Sequence, residues 1–238
     1  MIQNNETISI GWIDNGNTEG DFTFGLVKTI MQASLSQRPF NAAFRITGSH
    51  ISKQRQLLIN EWMTSDFTTD WILLIDSDIE LTKEHLDKLI SYADKDTASV
   101  VTGLYFILRY NKDNKDKVIP EPCIYSGDFE KNGVVSVIHS FPIDSLIPID
   151  YAGLGFTLIH KSVIEKIYKK YPNIFLFKEN DKEGTSMIGE DFSFFQLIKN
   201  AGIQSYCHTG INPKHIKKIA IDLNYVFNGN FGKIEEKE

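Results

Sequence analysis

Two carboxylates separated by one serine, Asp76-Ser77-Asp78, directly follow the aliphatic run Ile72-Leu73-Leu74-Ile75. A continuous apolar run bounded by polar residues is typical of a parallel strand covered on both faces, and ligands bind beyond the carboxyl ends of such strands. Carboxylates are the ligands that Mg²⁺ and Mn²⁺ share with substrate phosphates. The pattern predicts a divalent metal held against a phosphate. The alternative is an ordinary strand end in which Asp caps the next turn.

A second acidic pair, Glu190-Asp191, follows Gly189 at the start of a predicted helix. Acidic side chains at this position complement the positive end of the helix dipole, which is the structural interpretation. The functional interpretation is a general base, because a carboxylate within hydrogen-bond reach can take a proton from a hydroxyl group. The glycine before the pair favours a carboxylate that opens to a cleft.

Two histidines, His208 and His215, occur late in the chain. Neutral imidazole is a common ligand for metals such as Mn²⁺ and could complete a site begun by Asp78. The alternative is that each histidine is a surface or packed residue without a functional role.

The chain up to residue 103 alternates between strand and helix patterns. Strands are predicted at 7–13, 41–46, 71–75 and 99–102, and helices at 22–35, from Ser49 or Ser52 to Trp62, and after Thr82. This alternation predicts a doubly wound parallel sheet. Beyond a charged loop at 111–117 the patterns are mixed, with a strand at 155–159 and helices at 162–168 and 191–199, the last closed by Asn200-Ala201-Gly202.

Composition excludes several classes of protein. The 238 residues carry 31 acidic and 25 basic side chains, so a broad electrostatic grip on nucleic acid is not expected. The two cysteines lack metal-binding spacing and favour a reducing, cytoplasmic setting. No apolar stretch approaches the length of about 18 residues that spans a membrane, so any membrane contact is expected to be peripheral.

The order of these motifs resembles the A-type glycosyltransferase fold. The order is Asp76-Ser77-Asp78 after a strand, then the segment 151–159, then Gly189-Glu190-Asp191, then His215, and it is most similar to family-2-like enzymes, including compact phage and bacterial forms. The resemblance implies an α/β fold, with a Rossmann-like, mostly parallel central sheet flanked by helices and a mixed acceptor-side half. Residues 1–103 would form the nucleotide-sugar-binding half, 104–218 the acceptor and catalytic half of the same domain, and 219–238 a tail.

The resemblance also implies a UDP- or GDP-sugar donor held by Mn²⁺ or Mg²⁺, and a glycan or other hydroxyl acceptor. Asp78 resembles the direct metal ligand, Asp76 would contact the ribose or the metal shell, and His215 resembles the late metal-binding histidine. His208 competes with His215 for this assignment, and the spacing from Gly202 favours His215.

The catalytic and nucleotide-binding residues follow from the same resemblance. Asp191 resembles the base of inverting members, with Glu190 nearer the acceptor. The residues expected at the nucleotide sugar are Asp14, Arg55, Asp76, Ser77, Gly153 and Gly155.

The predicted function is thus a metal-dependent, inverting glycosyltransferase with a DxD motif. A nucleotidyltransferase is one alternative, but it would be expected to show a basic or glycine-rich phosphate loop, which Asp14-Asn15-Gly16-Asn17 hardly offers. A non-catalytic nucleotide-sugar-binding module is another, and the presence of both Asp78 and Asp191 counts against it.

Overall fold

The computed structural model describes residues 6–35, 40–110, 118–132, 134–179 and 187–218. Its strands are β1 (Ile8–Asp14), β2 (Ala42–Thr47), β3 (Trp71–Asp76), β4 (Val100–Gly103), β5 (Phe106–Tyr110), β6 (Val118–Pro122), β7 (Ile124–Asp128), β8 (Val134–Val137), β9 (Leu146–Ile149), β10 (Tyr151–Ala152), β11 (Phe156–His160), β12 (Lys178–Glu179), β13 (Met187–Ile188) and β14 (Ser205–His208). Its helices are α1 (Gly20–Leu35), α2 (Ile51–Thr64), α3 (Lys83–Tyr92), α4 (Phe129–Asn132), α5 (Lys161–Tyr168) and α6 (Glu190–Asn200). The predicted charged loop at 111–117 and the predicted tail beyond residue 218 lie outside the described residues.

A seven-stranded, mostly parallel sheet in the order β2-β1-β3-β11-β4-β14-β9 forms the centre of the fold. Strands β1 to β4 and β14 share one direction, while β11 and β9 run antiparallel to their neighbours. The mostly parallel sheet confirms the predicted fold class. The four strands predicted before residue 103 are not all neighbours in this sheet. Strand β11 lies between β3 and β4, and its Leu158 pairs with both Leu73 and Val101.

Helices cover both faces of this sheet. Gly11 and Trp12 are neighbours on β1. Gly11 faces Leu58 of α2, whereas the Trp12 ring lies 6.0 Å from the Phe22 ring of α1. Since successive residues of a strand point to opposite faces, α1 and α2 lie on opposite sides of the sheet. Helix α3 contacts α1, and α5 contacts α6. The two layers bury β3 almost completely, as its aliphatic sequence predicted.

Helix ends agree with the sequence in two places and differ in one. The Thr82 side chain caps α3 by accepting a hydrogen bond from the His85 backbone N–H at 3.2 Å. Gly202 has a φ of 69° and lies just after α6, where a left-handed conformation closes the helix. The residue before α2 is His50 rather than either predicted serine, and its side chain makes no capping hydrogen bond.

The second half of the chain mixes antiparallel pairs with strands that join the central sheet. Strands β5 and β6 form a hairpin, and β10, β7 and β8 form a small antiparallel sheet. The rings of Tyr151 on β10 and Phe192 on α6 stack with centroids 5.3 Å apart, which fixes the start of α6 against this small sheet. Among the described residues, no helix combines the length and the apolar character needed to cross a bilayer.

Candidate functional site

A cleft of about 1160 Å³ opens where β1 and β3 end. Its walls come from the loop after β1, the start of α2, the turn after β3, the β5 and β7 strands, the start of α6 and the segment 215–218. Parallel strands that end side by side place their following residues at one edge of the sheet. The predicted residues Asp14, Arg55, Asp76, Ser77, Asp78, Glu190, Asp191 and His215 all line this cleft.

Asp78 and His215 meet at the floor of the cleft although 137 positions separate them. The Nε2 atom of His215 lies 3.2 Å from Asp78 Oδ2, and its Nδ1 atom donates a hydrogen bond to the Phe106 carbonyl oxygen at 2.8 Å. Because a carbonyl only accepts, Nδ1 carries the proton, and the Nε2 lone pair of a neutral ring points toward the carboxylate. A cation between or beside the two facing lone pairs would stabilise this arrangement.

The cation in contact with Asp78 is Lys217. Its Nζ atom lies 2.6 Å from Asp78 Oδ2, the same oxygen that faces His215. Burial raises the pKa of Asp78, but the contacts with His215 and Lys217 outweigh it and bring the pKa to about 2. Asp78 is therefore an anion throughout the physiological range.

Asp76, Arg55 and Glu190 form a second charged group beside the first. The Arg55 Nη2 atom donates to Asp76 Oδ1 at 2.9 Å, and Nη1 donates to Glu190 Oε1. Burial lowers the pKa of Arg55, but the two carboxylates raise it further, so that the net shift is upward. Arg55 was expected near the nucleotide, and Glu190 near the acceptor. Both residues line the cleft, where their buried side chains pair with each other.

Asp191 is the carboxylate of the acidic pair that lacks a cation within ion-pairing distance among the described residues. Its Oδ1 atom accepts a hydrogen bond from the Phe192 backbone N–H at 2.8 Å, at the positive end of α6. Burial and the neighbouring Glu190 carboxylate raise the pKa of Asp191 to about 6, even though Arg55 and the Phe192 N–H oppose this shift. A carboxylate with this pKa is mostly ionised at neutral pH and is still basic enough to accept a proton.

Asp14 and Ser77 line the cleft beside these charged groups. The Asp14 carboxylate accepts two hydrogen bonds from Arg45, at 2.7 and 3.0 Å, and these bonds hold its pKa below the ordinary value. The Ser77 carbonyl oxygen accepts a bond from the Glu19 N–H at 3.1 Å, which ties the turn after β3 to the loop after β1. Asp14 thus contributes a neutralised carboxylate rather than a free anion.

Gly153 and Gly155, which were expected to approach the donor or acceptor, do not themselves line the cleft. A Cβ atom on Gly153 would lie 1.9 Å from the Tyr105 hydroxyl, and one on Gly155 would lie 2.7 Å from Asp76 Oδ2. The cleft is lined by Leu154, the residue between them. The glycines allow the backbone to pack closely against Tyr105 and Asp76.

The structure separates the two candidate histidines. His208 is fully buried on β14, where its ring lies 4.1 Å from the Tyr92 ring and its Nδ1 atom accepts from the Gly210 N–H. It does not line the cleft. His215 alone of this pair contacts Asp78.

Comparisons with known proteins agree with this architecture. Residues 61–143, which include Asp76-Ser77-Asp78, match the sequence model of glycosyl transferase family 2. The structure of GalNAc-T7 with UDP, GalNAc and Mn²⁺ is similar, with a TM-score of 0.54 and 11% identity over 90% of this chain. The chain has an A-type glycosyltransferase fold, and part of its sequence matches family 2. It spans 44% of the length of the GalNAc-T7 chain.

Two further solved structures show weaker similarity to this A-type chain. A197 from STIV has a TM-score of 0.49 and 17% identity, with 89% of this chain and 87% of that chain covered. A glycosyltransferase involved in the glycosylation of the major capsid of PBCV-1 has a TM-score of 0.33 and 13% identity, with 67% and 62% covered. Comparison with curated protein sequences found no match.

The donor atoms at the end of β3 fit a divalent cation with few protein ligands. Adjacent ligands of an octahedral ion with bonds of about 2.1 Å lie about 3.0 Å apart, close to the 3.2 Å between Asp78 Oδ2 and His215 Nε2. No cluster of three or more His, Cys, Asp or Glu side chains suited to a metal occurs within the described ranges. A metal here would therefore need oxygen atoms from substrate and water to complete its shell, as Mg²⁺ sites commonly do.

Sequence reasoning missed several residues of this A-type site. Lys217 and Lys218 line the cleft, and Lys218 pairs with Glu19 at 2.9 Å. Tyr105 packs edge-on against His215 with ring centroids 5.3 Å apart, and its hydroxyl accepts from the Gly155 N–H at 3.2 Å. Tyr105 lies between two strands, and the two lysines lie near a lysine-rich end of the chain. Neither position matches a recognisable functional motif. For Lys217, the one indication in the sequence is its position two residues after His215.

Proposed function

We propose that this protein is a metal-dependent glycosyltransferase that moves a sugar from a nucleoside-diphosphate sugar to a hydroxyl acceptor with inversion. The observation that carries the proposal is the position of Asp191 in the same cleft as the Asp78–His215 pair. A candidate metal site and a candidate general base therefore line one cleft. The A-type fold, which is shared with a protein crystallised with UDP, GalNAc and Mn²⁺, supports the same class of donor.

The charge of the cleft supports a cation-dependent donor. Within the described residues, its lining has six acidic and four basic side chains: Asp14, Glu19, Asp76, Asp78, Glu190 and Asp191 against Arg55, Arg109, Lys217 and Lys218. Because Arg45 neutralises Asp14 from outside the lining, five acidic groups remain against four basic ones. A nucleoside diphosphate is itself an anion and would be repelled by such a wall. A bound Mn²⁺ or Mg²⁺ would neutralise the charge on the diphosphate and stabilise it as a leaving group.

Each of these residues would have a separate role in the reaction. Asp78 and His215 would hold the metal, and Arg55 would fix Asp76 and Glu190 without contacting the donor. Asp191 would accept the proton of the acceptor hydroxyl while the acceptor oxygen bonds to the anomeric carbon. The bond from that carbon to the diphosphate breaks, and the nucleoside diphosphate leaves with the electron pair. Attack from the face opposite the diphosphate inverts the anomeric configuration.

The acceptor side of the cleft is aromatic, which suits a carbohydrate acceptor. The Tyr125 and Phe192 rings lie 4.8 Å apart, and both line the cleft together with Phe129. Sugar rings expose C–H groups that pack on aromatic faces, while their hydroxyl groups need polar partners nearby. We expect Asp191, next to Phe192 in the chain, to meet such a hydroxyl group. The proposal also includes a cytoplasmic location for the protein. It further includes a division of the domain into a donor half and an acceptor half near residue 103.

Replacing Asp191 by Asn tests the proposed base. Asn keeps the shape but cannot accept the proton, so turnover of UDP- or GDP-sugars with Mn²⁺ should fall by at least about 100-fold. The release of nucleoside diphosphate measures turnover, and calorimetry with the same diphosphate should show unchanged binding. Asp66→Asn, which changes an exposed aspartate outside the cleft, is the matched control. Undiminished turnover in Asp191→Asn would remove its assigned role.

A further inference from the structure

Lys217 contacts the atom that a metal would need. Its Nζ atom lies 2.6 Å from Asp78 Oδ2, and His215 Nε2 lies 3.2 Å from the same oxygen. One oxygen of the Asp78 carboxylate therefore contacts both the ammonium group of Lys217 and the imidazole ring of His215.

The position of Lys217 is fixed by the backbone before it. The Ile216 N–H donates to the Asp78 carbonyl oxygen at 2.7 Å, and the Glu80 N–H donates to the Lys214 carbonyl oxygen at 2.9 Å. These bonds attach the segment 214–216 to the turn after β3 on both sides of His215. Lys217 therefore starts at the rim of the cleft, next to the predicted metal ligands.

The Lys217 side chain is free to change partners. It is 37% exposed, and the structure places its ammonium group on a carboxylate that is 31% exposed. An ion pair that is open to water in this way contributes little stability, because water screens it. A second cation that bound the same oxygen would repel the ammonium group and displace it at small cost.

The donor diphosphate, which would bind together with the metal, is the expected new partner of Lys217. A metal held by Asp78 and His215 brings the diphosphate to this floor of the cleft, within the region that Lys217 and Lys218 line. Lys218 is already paired with Glu19. An ammonium group released from Asp78 can therefore donate to a diphosphate oxygen without leaving the cleft.

We propose that Lys217 is a switching cation, which neutralises Asp78 in the empty cleft and moves to the donor diphosphate when the metal binds. This inference rests on the proposed function. It explains how a cleft with a net acidic lining can avoid binding free metal tightly and still bind a metal–diphosphate pair. Metal alone must compete with Lys217, whereas metal with diphosphate offers Lys217 a replacement.

Lys217→Met tests the switch because the proposal requires two opposite effects. Mn²⁺ alone, followed by the signal of free Mn²⁺ in electron paramagnetic resonance, should bind at least about threefold tighter to the variant, because the competing charge is gone. UDP or GDP at saturating Mn²⁺, followed by calorimetry, should bind about tenfold weaker, because a charge-assisted hydrogen bond is lost. Lys217→Arg, which keeps the charge, should restore most of the diphosphate affinity.

Lys214→Met is the matched control. Lys214 lies on the same segment, but it pairs with Glu80 at 2.9 Å and does not line the cleft. This variant should leave both affinities unchanged, and thermal unfolding of each variant checks that the fold is retained.

The outcomes separate this inference from the proposed function. If the wild type binds neither diphosphate with Mn²⁺, the proposed function fails and the switch fails with it. If the wild type binds one of them but Lys217→Met changes only one of the two affinities, or changes both in the same direction, the switch alone is overturned.

Discussion

Asp191 differs from the other carboxylates of the cleft in its electrostatic environment. Asp14 pairs with Arg45, and Asp78 pairs with Lys217, and both have a lowered pKa. Burial and the Glu190 charge instead raise the pKa of Asp191 to about 6. Neighbouring carboxylates whose pKa values diverge usually perform different tasks. Here the low-pKa group suits cation binding, and the high-pKa group suits proton transfer.

The pH dependence of turnover should follow Asp191. Because only the ionised carboxylate accepts a proton, kcat/KM should rise with pH through an apparent pKa of about 6 and then level off. Asp78, with a pKa of about 2, remains ionised over this window and should not contribute. Initial rates from about pH 5 to about pH 8 provide the measurement, with diphosphate binding followed over the same range as a control. A flat profile, or one that falls as pH rises, would contradict the assignment.

At the scale of elements, Arg55 connects α2 to the end of β3 and to the start of α6. It does so through Asp76 and Glu190, and both it and Glu190 are buried. The two acidic motifs, 114 positions apart between Asp76 and Glu190 in the printed sequence, are thereby held in one arrangement. In the proposed function, Arg55 positions Asp76 and Glu190, since its guanidinium group contacts both carboxylates.

Removing Arg55 should destabilise the fold strongly. Arg55→Met leaves the Glu190 carboxylate buried without its partner, and breaking a buried pair in this way costs about 3–5 kcal/mol. Urea unfolding gives the free energy. Arg109→Met, which removes a half-exposed arginine paired with Glu121, should cost less than about 1 kcal/mol.

A double variant separates charge burial from packing at Arg55. Adding Glu190→Gln to Arg55→Met removes the uncompensated charge and should recover part of the lost stability. Equal destabilisation by the Arg55 and Arg109 single variants would show that the buried pair has no structural importance.

At the scale of the whole molecule, the sequence predicts single elements better than their neighbours. The run 72–75 predicts β3 because a strand covered on both faces is typically aliphatic throughout. The insertion of β11 between β3 and β4 was not predictable, since β4 and β11 are equally apolar and periodicity does not encode strand order.

The same limit applies to the site. Asp78 and Asp191 were candidates because each follows a recognisable element boundary. Pairings such as Arg55 with Glu190 and Lys217 with Asp78 join residues 135 and 139 positions apart, and local pattern does not encode them. His215 could be preferred over His208 from spacing, but only the fold shows that His208 packs on Tyr92 away from the cleft.

The most direct test is a thermal-shift titration of UDP- and GDP-sugars with and without Mn²⁺, on the wild type, His215→Ala and His208→Ala. Ligand at about 100 times Kd stabilises the native state by about 2.7 kcal/mol, which for a chain of this size raises Tm by about 5–10 °C. The account predicts this shift for at least one nucleotide sugar, only with Mn²⁺, in the wild type and in His208→Ala relative to its own baseline. His215→Ala should lose the shift. The absence of a shift with every nucleotide sugar, or a shift that survives without Mn²⁺ and without His215, would contradict the account.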